Sequence, residues 1–180
     1  LDTIPANGPY EYLIYRAEGI AGTNWQLIHT LATADLNDTV YVDTLINTID
    51  KGWVYKVELY NNAPDNRFLV GDPGIASSLF LTALPGDRKM RFIMTRNVPW
   101  INTSYDFYRF NGTTWQLVGT TNQLTFTDPG LVNGNEYCYY VVTTGGYQGT
   151  DTPKNLINYS QRTCAVPVDN EPPCPPALTV

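Results

Sequence analysis

Residues 24–30 read NWQLIHT and residues 114–120 read TWQLVGT, ninety positions apart. An internal repeat constrains a fold more than any local propensity, because each copy must build the same kind of unit. The echo extends outward. YEYLIYR (10–16) precedes the first copy and SYDFYRF (104–110) the second, so that Tyr15-Arg16 matches Tyr108-Arg109. Downstream, VYVDTLIN (40–47) matches LTFTDPGLVN (124–133), which aligns Asp43 with Asp128. KGWVYKVEL (51–59) then matches GNEYCYYVV (134–142), placing Trp53 on Tyr137, Tyr55 on Tyr139 and Val57 on Val141. Insertions fall in Gly- and Asn-rich stretches, where turns tolerate them.

Each matched segment reads as a strand. Tyr12 and Ile14, and Tyr105 and Phe107, alternate at period two. So do Trp53, Tyr55 and Val57, and Tyr137, Tyr139 and Val141, with Cys138, Tyr140 and Val142 on the opposite face. The chain is 13% aromatic and only 16% charged, and 14 Gly and 13 Pro are spread along it. Short aromatic and β-branched strands punctuated by turns predict an all-β sandwich, and no window carries a helical apolar pattern.

The net charge of −6 supplies no basic patch to neutralise phosphates, which argues against nucleic-acid binding. No apolar run approaches the roughly 20 residues that span a bilayer as a helix, so the chain is not expected to be membrane-spanning.

These segments resemble fibronectin type III modules, and the second copy is the fuller match. SSLFLTALPGD (77–87) resembles strand A, KMRFIMTR (89–96) strand B, SYDFYRF strand C and TWQLVGT strand C′. LTFTDPGL resembles E, NEYCYYVVTTG F, and SQRTCAVPVD (160–169) G. Met94 stands where strand B usually has Trp. Leu131 and Tyr137 have the spacing of the family's tyrosine corner, in which the Tyr hydroxyl bonds back to nearby backbone. In the first copy Trp53 replaces that Tyr, so no corner is assigned there. The string NVPWINTSYDFYR, with YCYYVVTTGGY and SQRTCAVPVDNEPPCPPALTV, is further similar to tandem modules of large Bacteroidota surface proteins. Those are gliding-motility-associated or type IX secretion substrates.

The resemblance divides the chain into tandem fibronectin type III (immunoglobulin-like) β-sandwiches. Residues 1–74 are expected to form a module lacking strands A and B, and 75–170 a complete module. Residues 171–180 then form a Pro-rich linker and the first strand of a third module, and the 180 residues are an interior part of a longer protein. The stretch VGDPGIASS (70–78) reads as the linker between the first two modules.

Strands F and G are antiparallel neighbours in that fold. A hairpin pairing Cys138 with Cys164 centres on residue 151, inside the predicted F–G loop GYQGTDTPKNLINY (146–159). A Cys138–Cys164 disulfide is expected on that register; the alternative is two free thiols. Cys174 is expected to pair outside the chain. Three Cys and the lone His29 lack zinc-type spacing, so no metal or cofactor is expected.

His29 is expected to be exposed and without a role, since neither GxSxG nor HExxH accompanies it. Asp43 and Asp128 recur at one repeat position in different modules. That favours a turn role, with local backbone bonds, over a calcium site or a glycosidase acid pair. Trp100, beside Pro99, is the candidate exposed aromatic for ligand contact. Asn37, Asn102, Asn111 and Asn158 fit the N-glycosylation pattern, idle in a bacterial protein. In proteins like those the chain resembles, Asp-Thr followed by an apolar residue carries O-glycans, which makes Thr3, Thr39 and Thr44 candidates.

The resemblance implies a non-enzymatic structural or adhesive spacer at the cell surface or secreted. Its partners would be neighbouring modules of the same chain, the type IX secretion machinery or surface polysaccharide. The rival reading is a carbohydrate-binding or spacer module of a multidomain glycoside hydrolase.

Overall fold

The computed structural model describes residues 8–34, 36–37, 40–71, 74–149 and 154–170. Thr3, Thr39, Cys174 and the segment 171–180 lie outside the described residues. Among the described residues all regular structure is β, and every strand pair is antiparallel.

The first unit is one sheet. Strands β1 (Tyr10–Glu18), β2 (Gln26–Thr33), β3 (Trp53–Ala63) and β4 (Asn66–Gly71) lie in the order β2-β1-β3-β4, and β5 (Ile75–Ser77) also pairs β3. The second unit has two sheets. Strands β6 (Phe80–Gly86), β7 (Lys89–Thr95) and β10 (Thr125–Pro129) form the three-stranded β10-β7-β6 layer. Strands β8 (Ile101–Phe110), β9 (Trp115–Thr121), β11 (Tyr137–Gly146), β12 (Leu156–Tyr159) and β13 (Thr163–Ala165) form the other. Its order is β9-β8-β11-β12, with β13 also on β11. Reading β6 to β13 as A, B, C, C′, E, F and a divided G gives the fibronectin type III arrangement, sheet ABE against sheet C′CFG. The first sheet repeats C′CFG, G again divided.

The repeat reaches down to a backbone irregularity. The β1–β2 register slips between Ile14 and Tyr15, and the β8–β9 register slips between the equivalent Phe107 and Tyr108. A bulge at one place in both copies re-aims the same side chains.

Alternation decides what each sheet buries. In the second unit the inward residues of both layers meet as one core: Leu79, Leu81, Met90, Phe92 and Met94 from one side, Tyr105, Phe107, Tyr139 and Val141 from the other. Phe92 lies edge-on to Tyr139 at 4.6 Å, and Phe107 stacks on Phe126 at 4.3 Å. Such ring geometries add to the area they bury. The outer edge of this sandwich is closed by side chains. The Gln161 amide accepts from Leu81 N–H (3.0 Å) and donates to Leu81 C=O (2.6 Å), a peptide surrogate along β6. Asn158 does the same at the strand's start, accepting from Leu79 N–H and donating to Ser77 C=O.

Three strand expectations differ from the structure: Leu156–Tyr159, expected within the F–G loop, pairs β11 as β12. Residues 40–44, the E-like segment of the first copy, form no strand, although their counterparts form β10. A ladder needs a partner, and β10 has β7 while 40–44 has none among the described residues. Ile75–Ser77, read as linker, is instead hydrogen-bonded to β3 through Val54↔Ser77, Tyr55↔Ala76 and Lys56↔Ile75. Polar bonds then cross from the first sheet to the second unit. Asn97 N–H donates to Ser77 Oγ (2.7 Å), Ser77 N–H to Asn97 C=O (2.7 Å) and Asn97 Nδ2 to Ile20 C=O (3.1 Å).

Candidate functional site

The repeated aspartates do not serve turns. In the second unit Asp128 Oδ2 accepts from Arg109 Nη1 at 2.7 Å and from Tyr139 Oη at 2.8 Å. In the first unit Asp43 Oδ2 accepts from Arg16 Nη1 at 2.7 Å and from Tyr55 Oη at 3.1 Å. The expectation of local backbone bonds is therefore corrected. Each Asp reaches from the E position to an Arg on C and a Tyr on F, and ties three distant segments together. Charge-assisted bonds of this kind are stronger than neutral ones, and each carboxylate is neutralised by its arginine. All three members of the clamp recur at matched repeat positions, Arg16/Arg109, Asp43/Asp128 and Tyr55/Tyr139, which is the signal that could have found it.

Burial, then the charge and hydrogen bond of Asp43, push the Tyr55 phenol up to about 12. Burial, then the hydrogen bond and charge of Asp128, raise Tyr139 as well. An unfolded Tyr ionises near ~10. Each folded phenol therefore holds its proton above that pH while the unfolded one loses it. The stabilisation is fully present below about pH 10 and is lost as pH rises toward the folded values. Urea midpoints measured from neutral to alkaline pH are expected to stay flat and then fall. The double variant Tyr55→Phe/Tyr139→Phe should start lower and fall less steeply; an unchanged slope would remove the clamp tyrosines as the cause.

Above each clamp lies the E–F corner. Leu131 is buried, and Tyr137 Oη accepts from Val132 N–H at 3.1 Å. In the first unit Trp53 Nε1 donates to Asn47 C=O at 2.7 Å. An indole N–H can only donate, so it takes a carbonyl where the phenol takes an amide. A corner thus exists where Trp53 replaces the Tyr, with its hydrogen bond reversed. The clamp arginines lie over these same rings, Arg16 at 4.8 Å from Trp53 and Arg109 at 5.7 Å from Tyr137.

Cys138 and Cys164 are directly opposed on β11 and β13 and joined by a disulfide. Their neighbour Glu136 completes a metal-like cluster in position only, since both sulfurs are committed to the bridge. Outward from it runs an aromatic face. Tyr108 stacks on Tyr140 (4.9 Å), Trp115 meets Tyr140 edge-on (4.8 Å), and Arg162 lies over Trp115 (5.3 Å). Trp115, Tyr140, Tyr159, Ser160 and Arg162 line a cleft of about 270 Å³.

Trp100 is half-buried rather than openly exposed, edge-on to Tyr147 at 6.1 Å, and its indole N–H is buried without a protein partner. His29 is also half-buried, stacked on Tyr41 at 4.7 Å, where the second unit has Gly119 under Phe126. A Cβ on Gly119 would lie 2.5 Å from Phe126. Gly119→Ala is accordingly expected to cost about 1–3 kcal/mol, read as a lower urea midpoint with unchanged slope. Thr44 is exposed. Asn158 and Asn111 use their side-chain oxygens to accept backbone N–H groups, and Asn102 donates to Tyr105 Oη.

A hollow of about 660 Å³ lies on the inner face of the first sheet, lined by Tyr12, Ile14, Tyr55 and Val57 with Val40–Asp43 along its rim. Among the described lining residues the one charged group, Asp43, is held by Arg16, which leaves a largely apolar surface.

No protein-family profile matches the chain, and no curated protein matches it. Among solved structures it is similar to the chicken interferon gamma receptor alpha chain, with a TM-score of 0.39 and 12% identity over 89% of this chain and 86% of that one. It is also similar to the FN1–FN3 domains of chicken CNTN1, with a TM-score of 0.34 and 8% identity over 89% of this chain and 56% of that one. Strand order and register define the fold. No helix among the described residues is long and apolar enough to cross a membrane.

Proposed function

We propose that the chain is a non-catalytic structural and adhesive spacer segment of a longer extracellular or cell-surface protein, exported by type IX secretion and linked to gliding or surface adhesion. The carrying observation is the join between units. Strand β5 ends the first sheet at Ser77, β6 begins at Phe80, and Ser77, Asn97 and Ile20 are hydrogen-bonded across the step. β-Sheet units joined this closely set a distance between whatever they connect. The disulfide supports an oxidising location. The clamps and corners have the chemistry of braces: each carboxylate is neutralised by an arginine and accepts from a tyrosine on another strand. Modification at exposed Thr44, and at Thr3 and Thr39, belongs to the same reading.

The test is surface labelling of an epitope placed in the Asn111–Thr114 turn of the full-length protein in its own cells. Labelling of intact cells that disappears when type IX export is disabled is expected. Labelling that persists without that export would overturn the secretion route, and none in either strain would overturn the surface location. A second reading, carbohydrate binding, is favoured by the cleft at Trp115, where Tyr159 is 59% exposed. Glycan-array binding lost in Tyr159→Ala is its test.

A further inference from the structure

Each unit holds a cation over its repeated tryptophan, on the outer face of the C′CFG sheet. In the first unit Lys56 Nζ lies 4.5 Å from the Tyr15 ring and 5.5 Å from the Trp25 ring. Its charge is met inside the unit, by Glu58 at 2.7 Å. In the second unit Tyr108 and Trp115 stand for Tyr15 and Trp25, and the repeat puts Tyr140 on Lys56 and Val142 on Glu58. The cation comes instead from Arg162, just ahead of β13, 5.3 Å over Trp115. Val142 brings no carboxylate to meet it, and among the described residues Arg162 is in no ion pair. Asp106, opposite Val142, accepts instead from Thr120 Oγ1 at 2.7 Å. Burial, then Tyr108 and Tyr159, raise the Tyr140 phenol while Arg162 lowers it, and no carboxylate is among these groups. In a chain of net charge −6, the second copy of this face is thus a cation short of an anion.

We propose that the cleft beside Trp115 binds a carboxylated sugar, a hexuronate unit of an acidic polysaccharide, with the sugar's carboxylate on Arg162. This rests on the carbohydrate reading of the cleft and names the class of sugar. A guanidinium held over an indole ring keeps N–H groups for a planar acceptor, and its fork matches the two oxygens of a carboxylate. Tyr159, 59% exposed, offers a ring face whose negative quadrupole suits the C–H side of a pyranose. The Tyr140 and Tyr159 hydroxyls have no partner among the described residues, and a phenol can donate to or accept from a sugar hydroxyl. Ser160 is already committed: its Oγ accepts from Val141 N–H and donates to Gln161 C=O, both at 2.8 Å. It closes the cleft without reaching a ligand. An acidic peptide supplies the carboxylate too, but leaves the Tyr159 face and both phenols unmatched. A ring with an apolar face, hydroxyls on its rim and one carboxylate uses every free group the cleft presents.

Titration calorimetry on the whole chain at low salt tests this with three probes. They are a tetramer of a hexuronic acid, the same tetramer carboxyl-reduced to neutral hexoses, and tetraglutamate. Saturable binding of the uronate is expected, tighter than that of either other probe. Arg162→Gln should weaken uronate binding at least ~10-fold, the loss of a charged hydrogen-bonded contact, with the urea midpoint and the neutral tetramer's affinity unchanged. Val142→Glu, which restores the first copy's internal carboxylate while leaving Arg162 in place, should weaken the uronate similarly. A neutral tetramer that binds as tightly as the uronate, and is lost in Tyr159→Ala, would overturn the acidic class while leaving the carbohydrate reading standing. No binding of either sugar would overturn both. Tetraglutamate bound as tightly as the uronate would make the cleft an acidic-peptide surface and overturn the proposal. So would uronate binding that Arg162→Gln leaves intact.

Discussion

Replacing Cys138 and Cys164 by Ser is expected to lower the stability of the second unit by about 3.5 kcal/mol, as reckoned from closure of a 26-residue loop in the unfolded chain. β12 pairs β11 over four residues and β13 over three, so the bridge joins F to G where the ladder is short. Urea unfolding of the oxidised chain, the reduced chain and the double Ser variant checks this. The last two should coincide well below the first. A double Ser variant as stable as the oxidised chain would mean that the ladder alone holds the G strand.

Asp128→Ala is expected to cost about 3 kcal/mol, at the lower end for a broken buried ion pair because Arg109 keeps some solvent contact. The side chains are 9% and 30% exposed respectively. The substitution leaves Tyr139 Oη and the Arg109 guanidinium without their acceptor inside the sandwich. Asp43→Ala removes the same contacts in the first unit, where the Arg16 and Asp43 side chains are 15% and 11% exposed, and should cost about as much. Paired urea titrations read both. A markedly smaller loss for Asp43→Ala would show that the clamp's contribution depends on the covering sheet.

The sandwich was legible in the sequence because its rules are local. Period-two alternation set Tyr139 and Val141 inward and Cys138 and Tyr140 outward, and the copied segments kept their order. The clamps were harder to read. Arg109, Asp128 and Tyr139 are neighbours only after two sheets pack, and an Asp near Pro129 and Gly130 carries the composition of a turn. Aligned Arg and Tyr positions in both copies were the available clue. Residues 40–44 show the opposite failure: their strand pattern is real, but a strand is made by its partner, and the sequence of one segment cannot report whether that partner lies across from it. Trp53 hid a corner because the chemistry was conserved with its donor and acceptor exchanged.

The bridge between Cys138 and Cys164 also sets how far the second unit can lengthen when pulled from its two ends. The 26-residue span it encloses lies off the path of tension, so roughly 90 Å of extended chain, at about 3.3–3.6 Å per residue, cannot be drawn out while the sulfurs are joined. A pulled, oxidised segment gives up less length than its residue count suggests, and the redox state of its surroundings determines its reach.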